Sequence, residues 1–255
     1  MLELLSPAGS PEAVIAAVQN GADAVYLGMG DFNARRGAKN FTNEEFEKAV
    51  TYCRVRGCKV YVTLNTLVND REIGAAVDAA RLASECGADG IIIQDLGLIS
   101  AIRRALPDIP LHASTQMSIH NLAGVQAAAE MGLTRAVLAR ELSLEEIAYI
   151  TKNAPIETEI FVHGALCFCH SGQCYMSSLI GRRSGNRGMC AQPCRMQYSL
   201  GGRMDDYPMS LKDNCLVDRL REIEEAGVAC IKIEGRMKRP EYTAIVTGIY
   251  SKALR

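Results

Sequence analysis

The sequence predicts an α/β chain folded as a closed (β/α)8 barrel, and three observations predict it. A short apolar segment recurs five times, each just after a glycine that closes a helical pattern. Between these segments lie helical patterns with apolar residues near the 3.6 period, an alternation that implies a parallel sheet. Eight strand-helix units fit the 255 residues, because a TIM-like barrel takes about 250. An open doubly wound sheet is the alternative, since periodicity alone does not show closure.

The first strand is LELLS at 2–6, followed by the helix PEAVIAAVQ. NGADAVYLG at 20–28 gives the second strand, and NEEFEKAVTYC leads to the third, RGCKVYVTLN at 56–65. REIGAAVDAARLAS precedes the fourth, CGADGIIIQD at 86–95, and LHAST at 111–115 is the fifth. NLAGVQAAAEM leads to the sixth, MGLTRAVLAR at 131–140; SLEEIAYIT leads to the seventh, ETEIFVHG at 157–164. AGVACIKIEG at 226–235 is the eighth. Gly21, Gly57, Gly87, Gly132 and Gly227 fit the left-handed position that ends a helix. The pattern describes one domain, 1–255, with a single long departure at 165–211, between strands seven and eight, rich in Cys, Gly, Ser and Arg.

A hydrophobic content of 48%, a charged fraction of 22% and a net charge of −1 describe a globular chain with a large core. No apolar run approaches the roughly 20 residues of a membrane-spanning helix. The start MLELLSPAGS lacks the basic and apolar regions of a signal peptide, so a cytoplasmic protein without membrane association is expected. In a reducing compartment, clustered thiols more often bind metal or do redox chemistry than form disulfides. Cys53, Cys58, Cys86, Cys215 and Cys230, scattered among apolar segments, read as buried small hydrophobes. Near-neutral charge argues against a general nucleic-acid coat but leaves room for a local basic face.

The reactive face of such a barrel lies at the carboxyl ends of its strands. The residues collected there are Ser6, Gly28, Asn65, Gln94, Asp95, Ser114, Gln116, Arg140, Glu141, His163, Glu234 and Arg236. Taken one at a time, such groups often only satisfy turns; together they form a polar ring from which the cysteine-rich segment rises. In IKIEGR, alternation puts Lys232 and Glu234 inside the barrel if Ile231 and Ile233 meet the helices.

Cys167, Cys174, Cys190 and Cys194 follow the spacing C-x6-C-x15-C-x3-C. Four thiolates from one loop suit zinc or an iron–sulfur cluster. Structural zinc sites usually present C-x2-C knuckles, and none occurs here, so a [4Fe–4S] cluster is favoured; zinc, or no metal and free redox thiols, are the alternatives. Cys169 is a spare thiol and His170 a fifth candidate ligand. Arg182, Arg183, Arg187 and Arg195 read either as solvated charges or as a site for carboxylates or phosphates.

EIFVHGALCFCHSGQCYMSS and GRRSGNRGMCAQPCR resemble the signature of the collagenase-like peptidases, family 32 of the unknown-type peptidases. ELLSPAGSPEAVIAAVQNGADAVYLG, ARELSLEEI and KIEGRMKRPEY extend the resemblance over nearly the whole chain. The family name implies proteolysis, whereas the better understood members are iron–sulfur proteins that hydroxylate RNA bases or the ubiquinone ring without oxygen. In the RNA branch the resemblance implies prephenate as hydroxyl donor. By motif it implies Cys167 and Cys174 from C-x4-G-x-C, and Cys190 and Cys194 from G-x-C-x3-C-R, as cluster ligands. Relatives usually continue beyond the barrel, whereas this sequence stops at SKALR; a short member or a piece lacking a substrate-recognition domain is expected.

Three functions follow. The first is an RNA hydroxylase with a small dicarboxylate donor. In it Asn65, Gln94, Gln116, Arg140, Arg182, Arg183, Arg187 and Arg236 bind substrate or donor, and Glu141, His163 or Glu234 moves the proton. The second is a peptidase, for which neither H-E-x-x-H nor G-x-S-x-G is present and only a pair such as Cys169 with His163 is conceivable. The third is a non-enzymatic cluster scaffold or a partner in ubiquinone-ring hydroxylation. The arginine-rich loop favours RNA over a prenylated quinone, which needs an apolar channel. Homo- and hetero-oligomers are both open.

Overall fold

The computed structural model describes residues 2–30, 32–34 and 40–255. In chain order its elements begin β1 (Glu3–Pro7), α1 (Pro11–Gln19), β2 (Ala24–Leu27), α2 (Asn43–Arg54), β3 (Lys59–Leu64), α3 (Ile73–Cys86), β4 (Gly90–Ile93), α4 (Leu96–Ala105) and β5 (Leu111–Ala113). They continue with α5 (Leu122–Glu130), β6 (Arg135–Val137), α6 (Leu144–Asn153), β7 (Glu157–Gly164), α7 (Met176–Gly181), β8 (Tyr198–Leu200), β9 (Arg203–Asp205), β10 (Asn214–Cys215), α8 (Leu220–Glu225), β11 (Cys230–Ile233) and α9 (Pro240–Leu254).

Eight strands pair in parallel in the order β1-β2-β3-β4-β5-β6-β7-β11, and β11 returns to β1 through Leu4↔Ile231. The sheet therefore closes, and the open alternative is excluded. The five glycines expected at helix ends all have positive φ, from 69° to 90°. Local sequence also sets the helix starts: Ser10 caps α1 ahead of Pro11, while Thr42 with Glu45 and Ser143 with Glu146 form capping boxes.

Most of the core lies between the outer faces of the strands and the helices, with Leu4, Leu27, Ile91, Ile93, Leu98 and Ile231 fully buried. Inside the barrel, a small apolar group around Leu5, Tyr26, Tyr61 and Ile92 sits with an ionic network. Lys232 Nζ binds Glu159 Oε1 at 2.9 Å, and Arg135 reaches Glu3 at 2.6 Å and Glu157 at 2.7 Å. Ile231 and Ile233 pack toward the helices, so Lys232 points inward as its alternation predicts. Glu159 is 0% exposed, and removing either member of its pair with Lys232 costs about 3–5 kcal/mol by stranding the other charge.

Two features shape the mouth. Beyond β7 the chain makes its long excursion, containing α7 and the antiparallel β8–β9 hairpin, and returns as β10, antiparallel on β7. In the ladder between β7 and β11, Lys232 opposes Phe161 but Ile233 opposes His163, so Val162 is an extra residue, a β-bulge.

Candidate functional site

The strand ends do form a polar ring, and much of it ties loops together. Asn65 Oδ1 accepts from the Ala34 amide at 2.9 Å, and its Nδ2 donates to Ser114 Oγ at 3.2 Å. Gln94 Nε2 donates to the Asn65 carbonyl at 2.8 Å and reaches the Asn186 carbonyl of the cysteine loop at 3.5 Å. Asp95 caps α4 through the Leu98 amide at 2.8 Å. Arg236 is buried, donating to Thr63 Oγ1 at 2.6 Å and Asn33 Oδ1 at 3.3 Å. Gln116 stands in a short 3-10 turn after β5. Glu234 follows β11, where its amide and carbonyl bond the His163 carbonyl and the Tyr242 hydroxyl.

The bulge in β7 changes the place of His163. One extra residue reverses the alternation, so the imidazole turns to α9 instead of the mouth. It lies 3.4 Å from the Tyr250 hydroxyl and packs edge-on against that ring. Burial holds its pKa below the ordinary histidine value. Among the described residues no hydrogen bond joins it to Cys169.

The cysteine loop brings five sulfurs together. Burial, then the neighbouring Cys174 and Cys167, push the Cys169 thiol up; burial, with Cys167 and Cys190 nearby, does the same for Cys194. Several of the sulfurs have a donor. Arg140 Nη2 lies 3.7 Å from Cys167 Sγ, the Gln192 amide donates to Cys190 Sγ at 3.3 Å, and the Phe168 amide faces Cys194. Donors aimed at sulfur are the outer bonds that support ligands of a metal group, so the residues fit a group held by thiolates. Arg140 also donates to the Ala165 carbonyl at 3.1 Å and lies over the Phe161 ring.

The loop is latched to the loops that follow β5 and β6. Glu141 Oε1 accepts from the Ser171 amide at 2.8 Å and its hydroxyl at 3.0 Å, and Ser118 Oγ donates to the Ser171 carbonyl. Gly172 has φ +77°, and a Cβ there would lie 2.3 Å from the Gln116 carbonyl oxygen. Only glycine meets both conditions without strain.

The arginines divide. Arg187 makes a two-pronged pair with Glu72 at 2.6 and 2.8 Å, so its guanidinium is taken up within the fold. Arg195 clamps Leu166, Ser210 and Leu211 and lies 3.6 Å from Asp213. Arg182 and Arg183 are exposed. Also exposed in this loop are Phe168, Tyr175, Leu179 and Ile180, which sequence reasoning missed; an aromatic residue within a cysteine motif was the available signal. His120, also missed, lies 3.2 Å from Glu141. A cleft of about 770 Å³ opens at the opposite, amino-terminal end of the strands, beside Lys59, His112, Arg135 and Glu157. Its charges are already paired, and in this fold reactions take place at the other end.

The chain is 38% identical over 264 residues to tRNA hydroxylation protein P1 of Bacillus subtilis (strain 168), covering 99% of this chain and 63% of that protein. It is 39% identical over 259 residues to the 23S rRNA 5-hydroxycytidine C2501 synthase of Escherichia coli (strain K12), covering 99% and 39%. It is 35% identical over 272 residues to the collagenase of Porphyromonas gingivalis (strain ATCC BAA-308 / W83), covering 99% and 65%. The chain thus spans less than two thirds of each of these relatives. Among solved structures, the U32 peptidase Mk0906 superposes with a TM-score of 0.61 at 14% identity, over 92% of this chain and 94% of that one. A phosphoribosylanthranilate isomerase from Thermotoga maritima gives 0.54 at 9%, over 99% and 98%, so these two share the fold. Residues 9–255 match the family model itself, and on that match and these identities the chain belongs to peptidase family U32.

Proposed function

We propose that the chain is an oxygen-independent RNA hydroxylase that holds a [4Fe–4S] cluster on Cys167, Cys174, Cys190 and Cys194 and takes its hydroxyl group from a prephenate-like dicarboxylate. The observation that carries this reading is the gathering of donor-supplied sulfurs in one loop over the carboxyl end of the barrel. Relatives named for tRNA hydroxylation and for 5-hydroxycytidine synthesis in rRNA support RNA as the substrate class.

Tetrahedral zinc, about 2.3 Å from each sulfur, needs sulfurs about 3.8 Å apart. Its structural sites usually present C-x2-C knuckles, and the spacing C-x6-C-x15-C-x3-C has none, which favours a cluster over a single zinc. A bound cluster would supply electron transfer beside the substrate.

The protein's own groups then divide the work. Arg140 places positive charge beside Cys167. Arg182 and Arg183, exposed on the loop, pair with donor carboxylates or RNA phosphates. Phe168 and Tyr175 offer faces on which an unpaired base stacks. Asn65, Gln94 and Arg236 hold the mouth in shape, since their donors are spent on neighbouring loops. Glu141 and Glu234 are the carboxylates at the rim for proton transfer, a task for which His163 is turned the wrong way.

Anaerobic purification with iron and sulfide analysis tests the proposal, on the wild type and on Cys174→Ala. About four irons and four sulfides per chain, with a broad absorption near about 400 nm that the variant lacks, are expected. RNA treated with the loaded protein and prephenate should then gain one oxygen on a base. A metal-free protein after reconstitution, or one holding a single zinc, overturns the reading.

A further inference from the structure

The rim carries a second cluster of ligating side chains, formed by His120 after β5, Glu141 after β6 and His170 in the cysteine loop. One ligand atom from each lies within 4.8 Å of the other two. His120 Nε2 is 3.2 Å from Glu141 Oε2, and the two imidazoles meet edge to face with centroids 5.7 Å apart. We propose that His120, Glu141 and His170 bind a divalent transition-metal ion, in a site separate from the cysteine sulfurs.

The hydrogen bonds around the three residues aim them. His120 Nδ1 lies 2.7 Å from the Ser118 carbonyl, which accepts only if that nitrogen carries the proton. The other ring nitrogen, Nε2, is buried and faces Glu141 Oε2 at 3.2 Å. A proton on Nε2 satisfies that contact when no ion is bound, and a divalent cation would take the proton's place between the two atoms. Glu141 is prepared in the same way: Oε1 is fixed by the Ser171 amide and hydroxyl, leaving Oε2 for the ion. Histidine and carboxylate ligands oriented by such outer bonds are the usual support of protein metal sites.

Geometry and chemistry agree on the class of ion. Bonds of about 2.1 Å in a tetrahedron put ligand atoms about 3.4 Å apart. His120 and Glu141 already have that spacing, and His170, on the exposed side, needs only a small movement. Two imidazoles and one carboxylate suit zinc or ferrous iron better than calcium or magnesium, which take oxygen ligands. Three protein ligands leave a position for water or substrate at the mouth of the barrel. Glu141 would then serve as a ligand, leaving proton transfer at the rim to Glu234.

The inference does not rest on the hydroxylase reading, and its test separates the two. Cobalt(II) is the probe, titrated anaerobically into the full chain carrying Cys167→Ser, Cys169→Ser, Cys174→Ser, Cys190→Ser and Cys194→Ser, so that no loop sulfur competes. The expected result is one cobalt per chain with ligand-field bands and no thiolate charge-transfer band. Adding His170→Ala, or His120→Ala, should weaken binding by about tenfold or more. His170 is exposed, so its loss leaves the fold intact; thermal melting checks this, and Glu141→Gln gives an independent variant. Cobalt affinity unchanged by the histidine variants, cobalt bound only with thiolate charge transfer in the wild type, or no binding overturns the proposal. Iron and sulfide contents of the wild type are unaffected by any of these results.

Discussion

His112 stands inside the barrel against the edge of Tyr61, its Nδ1 without a partner. Burial, reinforced by Arg135 and Lys232, lowers its pKa to about 3. The fold therefore keeps it neutral, while the unfolded chain takes up a proton below about pH 6.5. Stability present above that value is lost as pH falls from about 6.5 toward 3, by up to about 1.4 kcal/mol per pH unit. Glu3 acts lower down. Burial alone would raise its pKa, but Arg135 and Lys59 overcome burial and bring it to about 2, so its contribution is lost as pH falls through the range below about 4.5. Urea unfolding at pH 7, 6 and 5 should show wild-type stability declining and His112→Gln declining less; equal slopes would contradict the account. Individual partners of this kind were the least legible part of the sequence. Arg187 reads as a free arginine in a basic loop, and its partner Glu72 lies 115 positions away in the chain. His120 and His170 meet only because β5 and the cysteine loop share a rim.

Whole elements were far more legible. Five glycines marked five helix-to-strand joints because each joint needs a left-handed residue, and the capping residues wrote the helix starts. The bulge in β7 had no such mark, since FVHG reads as a plain strand whose regular alternation would aim His163 into the barrel. Gly172 gives a test at this scale. Gly172→Ala places a methyl against the Gln116 carbonyl in a left-handed conformation, a strain of about 1–3 kcal/mol carried by the loop. With the proposed cluster on the loop, its iron content per chain after identical purification should fall well below wild type. Gly181→Ala, where the added methyl meets open space, should leave iron content unchanged.

At the scale of the molecule, a net charge of −1 means that the proposed RNA substrate needs a local basic patch, and the proposal assigns that patch to the exposed Arg182 and Arg183 of the loop. Anisotropy titrations of a single-stranded RNA over a range of salt should show weaker binding for Arg182→Ala with Arg183→Ala, for every sequence tried. The slope of log affinity against log salt should drop by about 1 to 2, as two phosphate contacts predict. Arg187→Ala should leave the slope unaltered because its guanidinium belongs to Glu72. The closed barrel itself was legible from length and alternation, whereas the return of the excursion to its own starting point was not.

That return has a consequence for how the protein comes apart. Asn214 pairs with Gly164 and Cys215 with His163, so residues 165–213 leave and rejoin the barrel at one rung of the ladder. Beyond that rung the excursion is held by contacts to neighbouring loops, chiefly Ser171 with Glu141 and Ser118 and Arg187 with Glu72, so it opens without unzipping the eight strands behind it. Amide hydrogen exchange should then divide the chain in two: oxidative damage to the sulfurs would release protection across 165–213, while the amides of β1 to β6 keep theirs. The barrel then outlasts the loop that carries the cysteines.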